Sequence, residues 1–365
     1  MAKRRARRGG DMQLDLFADL QDEPPPPKPP TGLAAAVATP ATTAPEPAGE
    51  APPAPTPPPD AGLTAAVATA KARPRISPSS PVKLAERVQD AWYGHYGGSD
   101  IDIPVGVVAA LTLVRQADPD GPSLDGQFLA LDGPHLLDVL RQIWAAQWIR
   151  QPYLVEIARP LHDWLERDDP HDQVVIGVRA VAQAAIKSGL LSITGDPDPQ
   201  WRCQEDVLGV VLVTLRSKGG RDALGEFHTP TPAADMMAKM LLTPDSIQPG
   251  MSFDEPAAGT GGMLRAIALA LREYNHNPHD FVWSMGELNP TAAACAAVNS
   301  IVWDLGPQVF IHVGDTLAVG DTFGRAAEHR ASVLEHHHQV MGQLVMAEAI
   351  RKSRQLLDLV SSPAA

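Results

Sequence analysis

The sequence predicts an α/β fold, in which a small parallel sheet follows an all-helical domain and a disordered N-terminal tail. Three observations predict it. Prolines crowd the beginning of the chain, where 17 of all 36 lie between residues 23 and 80. Residues 81–200 show apolar side chains at helical spacing. Beyond residue 250, short apolar runs alternate with helical segments, a pattern that indicates a parallel sheet.

Composition and charge exclude several classes of protein. The chain has 365 residues and a formal net charge of −13. Residues 1–80 carry nine Lys/Arg against eight Asp/Glu, so the other 285 residues carry 21 against 35, a balance of −14. Because DNA affinity depends on Lys and Arg that displace counterions, such a body is a poor DNA binder on its own. A chain with two cysteines cannot form a disulfide framework. The sequence contains no long apolar run and no signal core, so we expect a cytoplasmic protein without a membrane segment.

The tail divides into an N-terminal portion, residues 1–22, and a tether, residues 23–80. The first portion begins with a basic arm, residues 1–8, which is either an electrostatic arm for nucleic acid or a solubilising end. The tether is rich in Pro and Ala, and such a composition cannot bury enough apolar surface to offset the entropy of ordering. We therefore expect it to be disordered.

A short peptide follows the basic arm, with the sequence Gln13-Leu14-Asp15-Leu16-Phe17. It resembles the peptide that bacterial DNA-processing proteins insert into the sliding clamp of the replicase. The glutamine would hydrogen-bond at the rim of the pocket, while Leu16 and Phe17 fill an apolar cleft. The alternative is a stray amphipathic patch, which five residues easily form.

Between the tether and the sheet we expect a helical domain, residues 81–200. Its helices are predicted at Leu84–Tyr96, Val105–Val114, Leu136–Trp148, Leu154–Leu165 and Val174–Leu191. Trp144 and Trp148 lie four residues apart on one helix face, which favours core packing over a base-stacking platform. Nothing in this domain indicates catalysis.

The chemistry is expected in the stretch from residue 251 to residue 264. A short apolar run ends in Asp254 and Glu255, and a loop of small residues then leads into a helix from Met263 to Tyr274. Glycines let the backbone approach a ligand closely, and a helix N-terminus offers unpaired amide groups. A lone glycine loop is weak evidence, so the following strands matter.

Two further strands end in acidic residues. The run 281–286 is followed by Glu287, which stands 25 residues after Gly262, a spacing that suits the binding of ribose hydroxyls. A third run, 308–313, is followed by Gly314 and Asp315. Since the carboxyl ends of parallel strands meet at one edge, the sequence predicts a nucleoside pocket there. The loop lacks the third glycine of the NAD fingerprint, which disfavours NAD.

These elements, in this order, resemble the DNA adenine-N6 methyltransferase family, especially the modification subunits of type I restriction systems. The resemblance covers residues about 203–320. It is carried by Asp206, Leu208 and Gly209, by the G-x-F-x-T-P element at 225–230, by the D-E-P-A-A-G-T-G-G-M-L loop at 254–264, and by the elements at 286–290 and 314–317. It implies a partial Rossmann-like sheet of the S-adenosylmethionine (SAM)-dependent methyltransferases in residues 201–320.

The resemblance also implies SAM as cofactor and assigns the residues that bind it. The backbone around Ala257 to Gly261 would hold the methionine end, with Asp254 or Glu255 near its ammonium group. Glu287 would bind the ribose hydroxyls, and Asp315 would accept from the adenine amine. The full set is Phe227 and Thr229, which would close over the ligand, with Asp254, Glu255, Pro256, Ala257, Gly259, Thr260, Gly261, Glu287 and Asp315.

One family element is missing. Adenine-N6 methyltransferases carry an Asn/Asp/Ser-Pro-Pro-aromatic sequence that binds the flipped base, and the chain does not contain it. Residues 321–365 are instead predicted to form a C-terminal helix. The sheet then holds only three strands, and its first strand lies at an edge that we expect the helical domain, the C-terminal helix or a partner chain to cover. The catalytic residues are therefore unknown.

The sequence thus predicts a SAM-dependent DNA adenine-N6 methyltransferase-like protein that acts as a subunit with a DNA-reading partner. The alternative is a catalytically incomplete SAM-binding or DNA-associated adaptor, tethered to the replication clamp through residues 13–17. A weaker third option is methylation of a substrate other than DNA. The C-terminal helix is a candidate surface for homo- or hetero-oligomers. No metal site is predicted, since three consecutive histidines at 336–338 cannot all face one ion on a helix.

Overall fold

The computed structural model of the chain describes residues 80–116, 122–167, 171–216 and 229–361, with side chains up to residue 355. The basic arm, the clamp-like peptide and all of the tether except Ser80 lie outside the described residues, as does Phe227. The described elements are α1 (Pro81–His95), α2 (Asp102–Thr112), α3 (Leu124–Ala130), α4 (Gly133–Arg150), α5 (Pro152–Ile157), α6 (Asp172–Lys187), α7 (Leu190–Thr194), α8 (Pro199–Arg202), α9 (Val207–Leu215), α10 (Thr231–Leu241), β1 (Ser252–Glu255), α11 (Gly262–Glu273), β2 (Val282–Glu287), α12 (Pro290–Val302), β3 (Val309–Val313) and α13 (Thr322–Ser361).

The N-terminal half is helical, as the sequence predicts, but two of the predicted helices are broken. The segment from Leu154 to Leu165 forms α5 and then two 3-10 turns, because Pro160 has no amide hydrogen to donate within a continuing helix. The segment from Val174 to Leu191 divides into α6 and α7 at Gly189, whose φ of 84° lies in the left-handed region.

The helical half packs around α1. Leu84, Val88 and Trp92 recur at helical spacing on one face of α1 and are fully buried where it meets α6 and α9. The helices α5 and α9 in turn pack against α12. One continuous hydrophobic core therefore runs from the helices into the sheet, and the predicted boundary near residue 200 stays a prediction.

The sheet has three parallel strands in the order β1-β2-β3 among the described residues. Phe253 on β1 lies opposite Trp283 on β2, and Met285 on β2 lies opposite Ile311 on β3. Helix α11 follows β1 and packs against it, while α12 packs against β2 and β3. This arrangement confirms a fold with alternating strands and helices and a parallel sheet, and it places β1 at one edge.

The two edges of the sheet differ. On β3, the hydroxyl of Tyr153 from α5 accepts from the amide of Ile311 at 2.8 Å and donates to its carbonyl at 3.0 Å. Helix α13 also packs along β3. On β1, in contrast, Ser252 and Asp254 are exposed. The sequence analysis expected the helical domain, the C-terminal helix or a partner chain to cover the first strand. Helices α5 and α13 lie instead against β3, at the opposite edge of the sheet.

Helix α13 is 40 residues long, or about 60 Å. Its first half packs against β3 and α5. Beyond Met341 the side chains are mostly exposed, and this part contains four large apolar residues: Leu344, Val345, Met346 and Ile350. Among the described helices, none is both long enough and apolar enough to cross a membrane.

Candidate functional site

Three loops meet where the parallel strands end, and we call this region the rim (residues 255–261, 286–289 and 314–318). The amide of Ala258 donates to the carbonyl of Gly286 at 2.9 Å, which ties the first loop to β2. The amide of Gly314 donates to the carbonyl of Glu287 at 2.9 Å, which ties the third loop to β2. The hydroxyl of Thr316 donates to the carbonyl of Pro256 at 3.0 Å. The structure therefore brings together the three strand ends that the sequence analysis singled out.

Gly286 allows this close approach. A Cβ atom at this position would lie 2.3 Å from the Cγ2 of Thr316 and 3.2 Å from the carbonyl oxygen of Pro256. Any other residue would therefore push the first and third loops apart.

The glycine loop has two left-handed residues, Gly259 with φ of 56° and Gly261 with φ of 90°. A Cβ on Gly259 would meet no described atom within 4 Å, whereas a Cβ on Gly261 would lie 3.2 Å from the ring of Trp303. Gly259 therefore faces open space, where a ligand can approach the backbone, and Gly261 packs inward. Gly261 is also the N-cap residue of α11.

Glu287 links the second loop to the glycine loop. Its Oε2 accepts from the amide of Gly259 at 2.8 Å, and its Oε1 accepts from the amide of Asn289 at 2.7 Å. Each carboxylate oxygen has a second lone pair, so the group can still accept from a ligand hydroxyl. The predicted ribose-binding residue thus also holds the protein backbone.

Other carboxylates surround the loop. Asp315 is exposed, and its Oδ1 accepts from the amides of Leu317 and Ala318 at 2.9 Å and 3.3 Å. Glu255 accepts from the amide of Ala257 at 3.2 Å, and Asp254 is exposed on β1, the edge strand of the described sheet. The rim is therefore acidic, which suits hydroxyl, amine and ammonium groups of a ligand better than phosphates.

The segment that would close over a ligand is described only from Thr229 onward. Thr229 is exposed and precedes α10. Helix α10 is held on α11 by the ion pair of Asp235 with the buried Arg265 and by Lys239 with Glu273 at 2.8 Å. The role assigned to Thr229, and that of Phe227 outside the described residues, stay predictions.

Sequence reasoning missed a polar network beneath the glycine loop. The sequence analysis does not select Asn299 on α12. It includes Asp206 only among the residues that resemble the family and gives it no role. Both lie against Thr260 of the loop. The signal that could have found Asn299 is its position as a single amide side chain in the otherwise small and apolar run of α12.

A buried cation lies beside the second loop. Arg216, at the end of α9, donates to the Oδ1 of Asn289 at 2.8 Å, and the same atom accepts from the amide of Ala292 at the start of α12. Burial lowers the pKa of Arg216, while the nearby charges of Asp102 and Glu287 oppose that shift. The guanidinium group thus offsets part of the negative charge of the rim.

Within the described residues, no group of three or more His, Cys, Asp or Glu side chains is placed to hold a metal ion.

The fold and the rim together define an α/β protein in which a glycine loop, a helix N-terminus and acidic strand ends form one cradle. Residues 206–334 match the family model described as N-6 DNA methylase. This match confirms, for that segment, the resemblance to the adenine-N6 DNA methyltransferase family that the motifs predict.

The chain is also similar to a solved structure, the methyltransferase subunit of a type I restriction-modification system from Streptococcus thermophilus. The identity is 18% and the TM-score is 0.35, and the match covers 66% of this chain and 59% of that one. The chain thus spans less than two thirds of that subunit. No curated protein sequence matches the chain.

Proposed function

We propose that the chain is a SAM-dependent, DNA adenine-N6 methyltransferase-like protein that acts as a subunit with a separate DNA-reading partner. The observation that carries the proposal is the rim, where the glycine loop, Glu287 and Asp315 converge in a segment that matches the N-6 DNA methylase family model. The family match supports the reaction class, and the rim supports the cofactor.

The residues of the rim fit SAM. The open side of Gly259 leaves room for close approach, and the amides at the start of α11 suit the carboxylate of the methionine end. Asp254 and Glu255 suit its ammonium group, Glu287 suits the ribose hydroxyls, and Asp315 suits the adenine amine. When bound, SAM supplies an activated methyl group, and the residues of the chain hold and orient the cofactor.

We further propose that the three strands are part of a Rossmann-like methyltransferase sheet in residues 201–320. Residues 81–200 would form the helical domain and residues 321–365 the C-terminal helix. The parallel order of the strands and the position of the rim at their carboxyl ends support this division.

Two features favour a partner. The body of the chain is acidic, with 21 basic residues against 35 acidic ones after residue 80, and such a surface attracts DNA poorly. The Asn/Asp/Ser-Pro-Pro-aromatic element is missing from the sequence. A partner that reads DNA and supplies a pocket for the flipped base would compensate for both. The exposed apolar part of α13 is the candidate surface for this partner or for a second copy of the chain.

The second candidate function is an adaptor that binds SAM but transfers no methyl group. The missing base-binding element favours it, because a cradle without a base pocket cannot orient an acceptor amine. In this case the peptide at residues 13–17 would place the protein at the replication clamp. Loss of clamp association in a Leu16→Ala/Phe17→Ala variant would support that role, and unchanged association would contradict it.

The two candidates are separated by methyl incorporation from labelled SAM into unmodified DNA, measured with the full-length protein alone and with a DNA-reading partner added, after SAM binding has been established. Incorporation only in the presence of the partner would support the first candidate, and no incorporation in either sample would support the adaptor. Incorporation by the chain alone would show a base pocket of its own and would contradict the need for a partner. For the chain alone we expect binding without incorporation. Absence of SAM binding would contradict the proposed function.

A further inference from the structure

We propose that Asp206 is a positioning residue for the glycine loop, which it holds in its ligand-ready conformation through Thr260 and Asn299. The inference rests on the proposed cofactor role of the loop and adds to the cradle a carboxylate that lies beneath it. Asp206 does not lie on any of the three strand ends, and it precedes the loop by about fifty residues.

The carboxylate of Asp206 is shared by three donors. Its Oδ2 accepts from the hydroxyl of Thr260 at 2.5 Å. Its Oδ1 accepts from the Nδ2 of Asn299 at 2.9 Å and from the amide of Gly209 at 2.8 Å, which caps α9. One side chain therefore connects α9, α12 and the glycine loop.

Asn299 closes the network. Its Nδ2 also donates to the carbonyl of Thr260 at 2.9 Å, so that Thr260 is held through both its side chain and its backbone. Thr260 is 2% exposed and Asn299 is 3% exposed. Hydrogen bonds to an ionised group are the stronger kind, and a buried group that loses its partner bears the full cost of desolvation.

The position of Thr260 explains why this network controls the loop. Thr260 lies between the two left-handed glycines, 259 and 261, so fixing it restricts the backbone on both sides. From the opposite side, Glu287 accepts from the amide of Gly259 at 2.8 Å. The loop is therefore held on one side by Asp206, through Thr260, and on the other side by Glu287, through Gly259.

Gly209 supports the same conclusion. A Cβ at this position would lie 2.4 Å from the Oδ2 of Asp206 and 2.6 Å from the Oγ1 of Thr260. An alanine normally favours a helix over glycine, but here it would displace the carboxylate from the hydroxyl. The glycine thus leaves the space that this hydrogen bond occupies.

A loop that is already ordered loses little conformational entropy when it binds a ligand, so pre-organisation increases affinity. We expect Asp206 to act in this way, through the geometry of residues 257–261 and without touching the cofactor.

The test compares Thr260→Val, which removes the hydroxyl but keeps the shape, with Thr260→Ser, which keeps the hydroxyl. Thr112→Val is the matched control, because Thr112 is 1% exposed and its hydroxyl donates only to a helix carbonyl, that of Ala109, at 2.7 Å. Two quantities are measured on the full-length protein: hydrogen exchange of the amides at 258–261 without ligand, and the Kd for SAM by calorimetry.

We expect Thr260→Val to accelerate exchange at residues 258–261 and to raise the Kd for SAM about tenfold. Thr260→Ser should keep the exchange rates and the Kd of the wild type, and Thr112→Val should change neither quantity. If Thr260→Val does not fold, Gly209→Ala serves as the second variant, with Gly126→Ala as its control, since a Cβ there meets no described atom within 4 Å.

Unchanged exchange in Thr260→Val would overturn the positioning role, even if SAM binding were weaker, because Thr260 would then contact the cofactor directly. If the wild type fails to bind SAM, the proposed function fails, but the exchange measurement still decides whether Asp206 holds the loop. Failure of Thr260→Ser to restore slow exchange would also contradict the inference.

Discussion

At the scale of single residues, Glu287 combines two tasks in one carboxylate. It accepts from two backbone amides, those of Gly259 and Asn289, and it is the residue proposed to bind the ribose. Replacement by alanine removes both, so we expect the Kd for SAM to rise about tenfold or more in Glu287→Ala. Calorimetry with the full-length protein measures this change.

A second ligand separates the two tasks of Glu287. S-adenosylhomocysteine and its 2′-deoxyribose analogue differ in one ribose hydroxyl. If Glu287 accepts from that hydroxyl, the wild type should prefer the first ligand, and Glu287→Ala should lose the preference. Equal preference in both proteins would contradict the ribose role and leave only the role in holding the loop.

The ion pair of His279 with Asp304, at 2.9 Å, predicts a pH dependence of stability. The hydrogen bond raises the pKa of His279 and lowers the pKa of Asp304 from their ordinary values. A raised histidine pKa stabilises the fold at low pH, and this contribution is lost as pH rises through the folded-state pKa. A lowered aspartate pKa stabilises at higher pH and is lost as pH falls. The pair should therefore contribute most between about pH 4 and pH 6.5.

The variant His279→Gln measures this contribution. The loss of unfolding free energy relative to the wild type should be larger at pH 5.5 than at pH 8.5. Asp304→Asn should show the same difference between the two pH values, because it removes the same ion pair. A loss that is equal at both pH values would show that the pair is not ionised in the folded protein.

Most residues of the cradle could be predicted from the sequence, because its glycines and acidic residues lie in short motifs that follow one another in a recognisable order. Asn299 and the role of Asp206 could not. Their contacts with Thr260 join residues that lie 39 and 54 positions apart, and only the folded chain brings them together.

At the scale of elements, the closed edge of the sheet depends on Tyr153. Its hydroxyl pairs with both backbone groups of Ile311, and burial raises its pKa to about 12. Tyr153→Phe leaves a buried amide and a buried carbonyl without this partner, so we expect a loss of about 1–3 kcal/mol in the free energy of unfolding.

Chemical denaturation measures that loss, with Tyr93→Phe as the matched control. Tyr93 also donates to a backbone carbonyl, that of Leu215 at 2.9 Å, but the residue is 42% exposed, so water can replace the bond. Equal losses in the two variants would contradict the proposed importance of the β3 edge.

The parts of α13 before and after Met341 should contribute differently to the free energy of unfolding. Residues 342–355 are mostly exposed, so a chain that ends after Met341 should lose less than about 0.5 kcal/mol. A chain that ends after Gly320 should be strongly destabilised, because it also loses the packing of α13 on β3 and α5. Thermal unfolding compares the two. A large loss on removal of 342–365 alone would show that this part packs on the same molecule.

The helices and strands themselves were largely predictable from periodicity, since α1, α4, α11 and all three strands lie within a few residues of their predicted bounds. The exceptions have local causes. Pro160 and Gly189 each interrupt a segment whose apolar spacing continues on both sides. Periodicity alone therefore predicts one continuous helix where the backbone is broken.

At the scale of the whole molecule, the proposed function divides cofactor binding and DNA reading between this chain and a partner. The acidic body suits a subunit that carries a cofactor site rather than a DNA-reading surface. The sheet is closed at β3 and exposes Ser252 and Asp254 at β1. A strand added in parallel at β1 would end beside the glycine loop.

Hydrogen exchange of the full-length protein with and without SAM tests whether the rim binds SAM. We expect slower exchange in three separate segments, 256–263, 286–289 and 314–318, at SAM concentrations that saturate a single site. Protection confined to other parts of the chain, or no protection at any concentration, would contradict it.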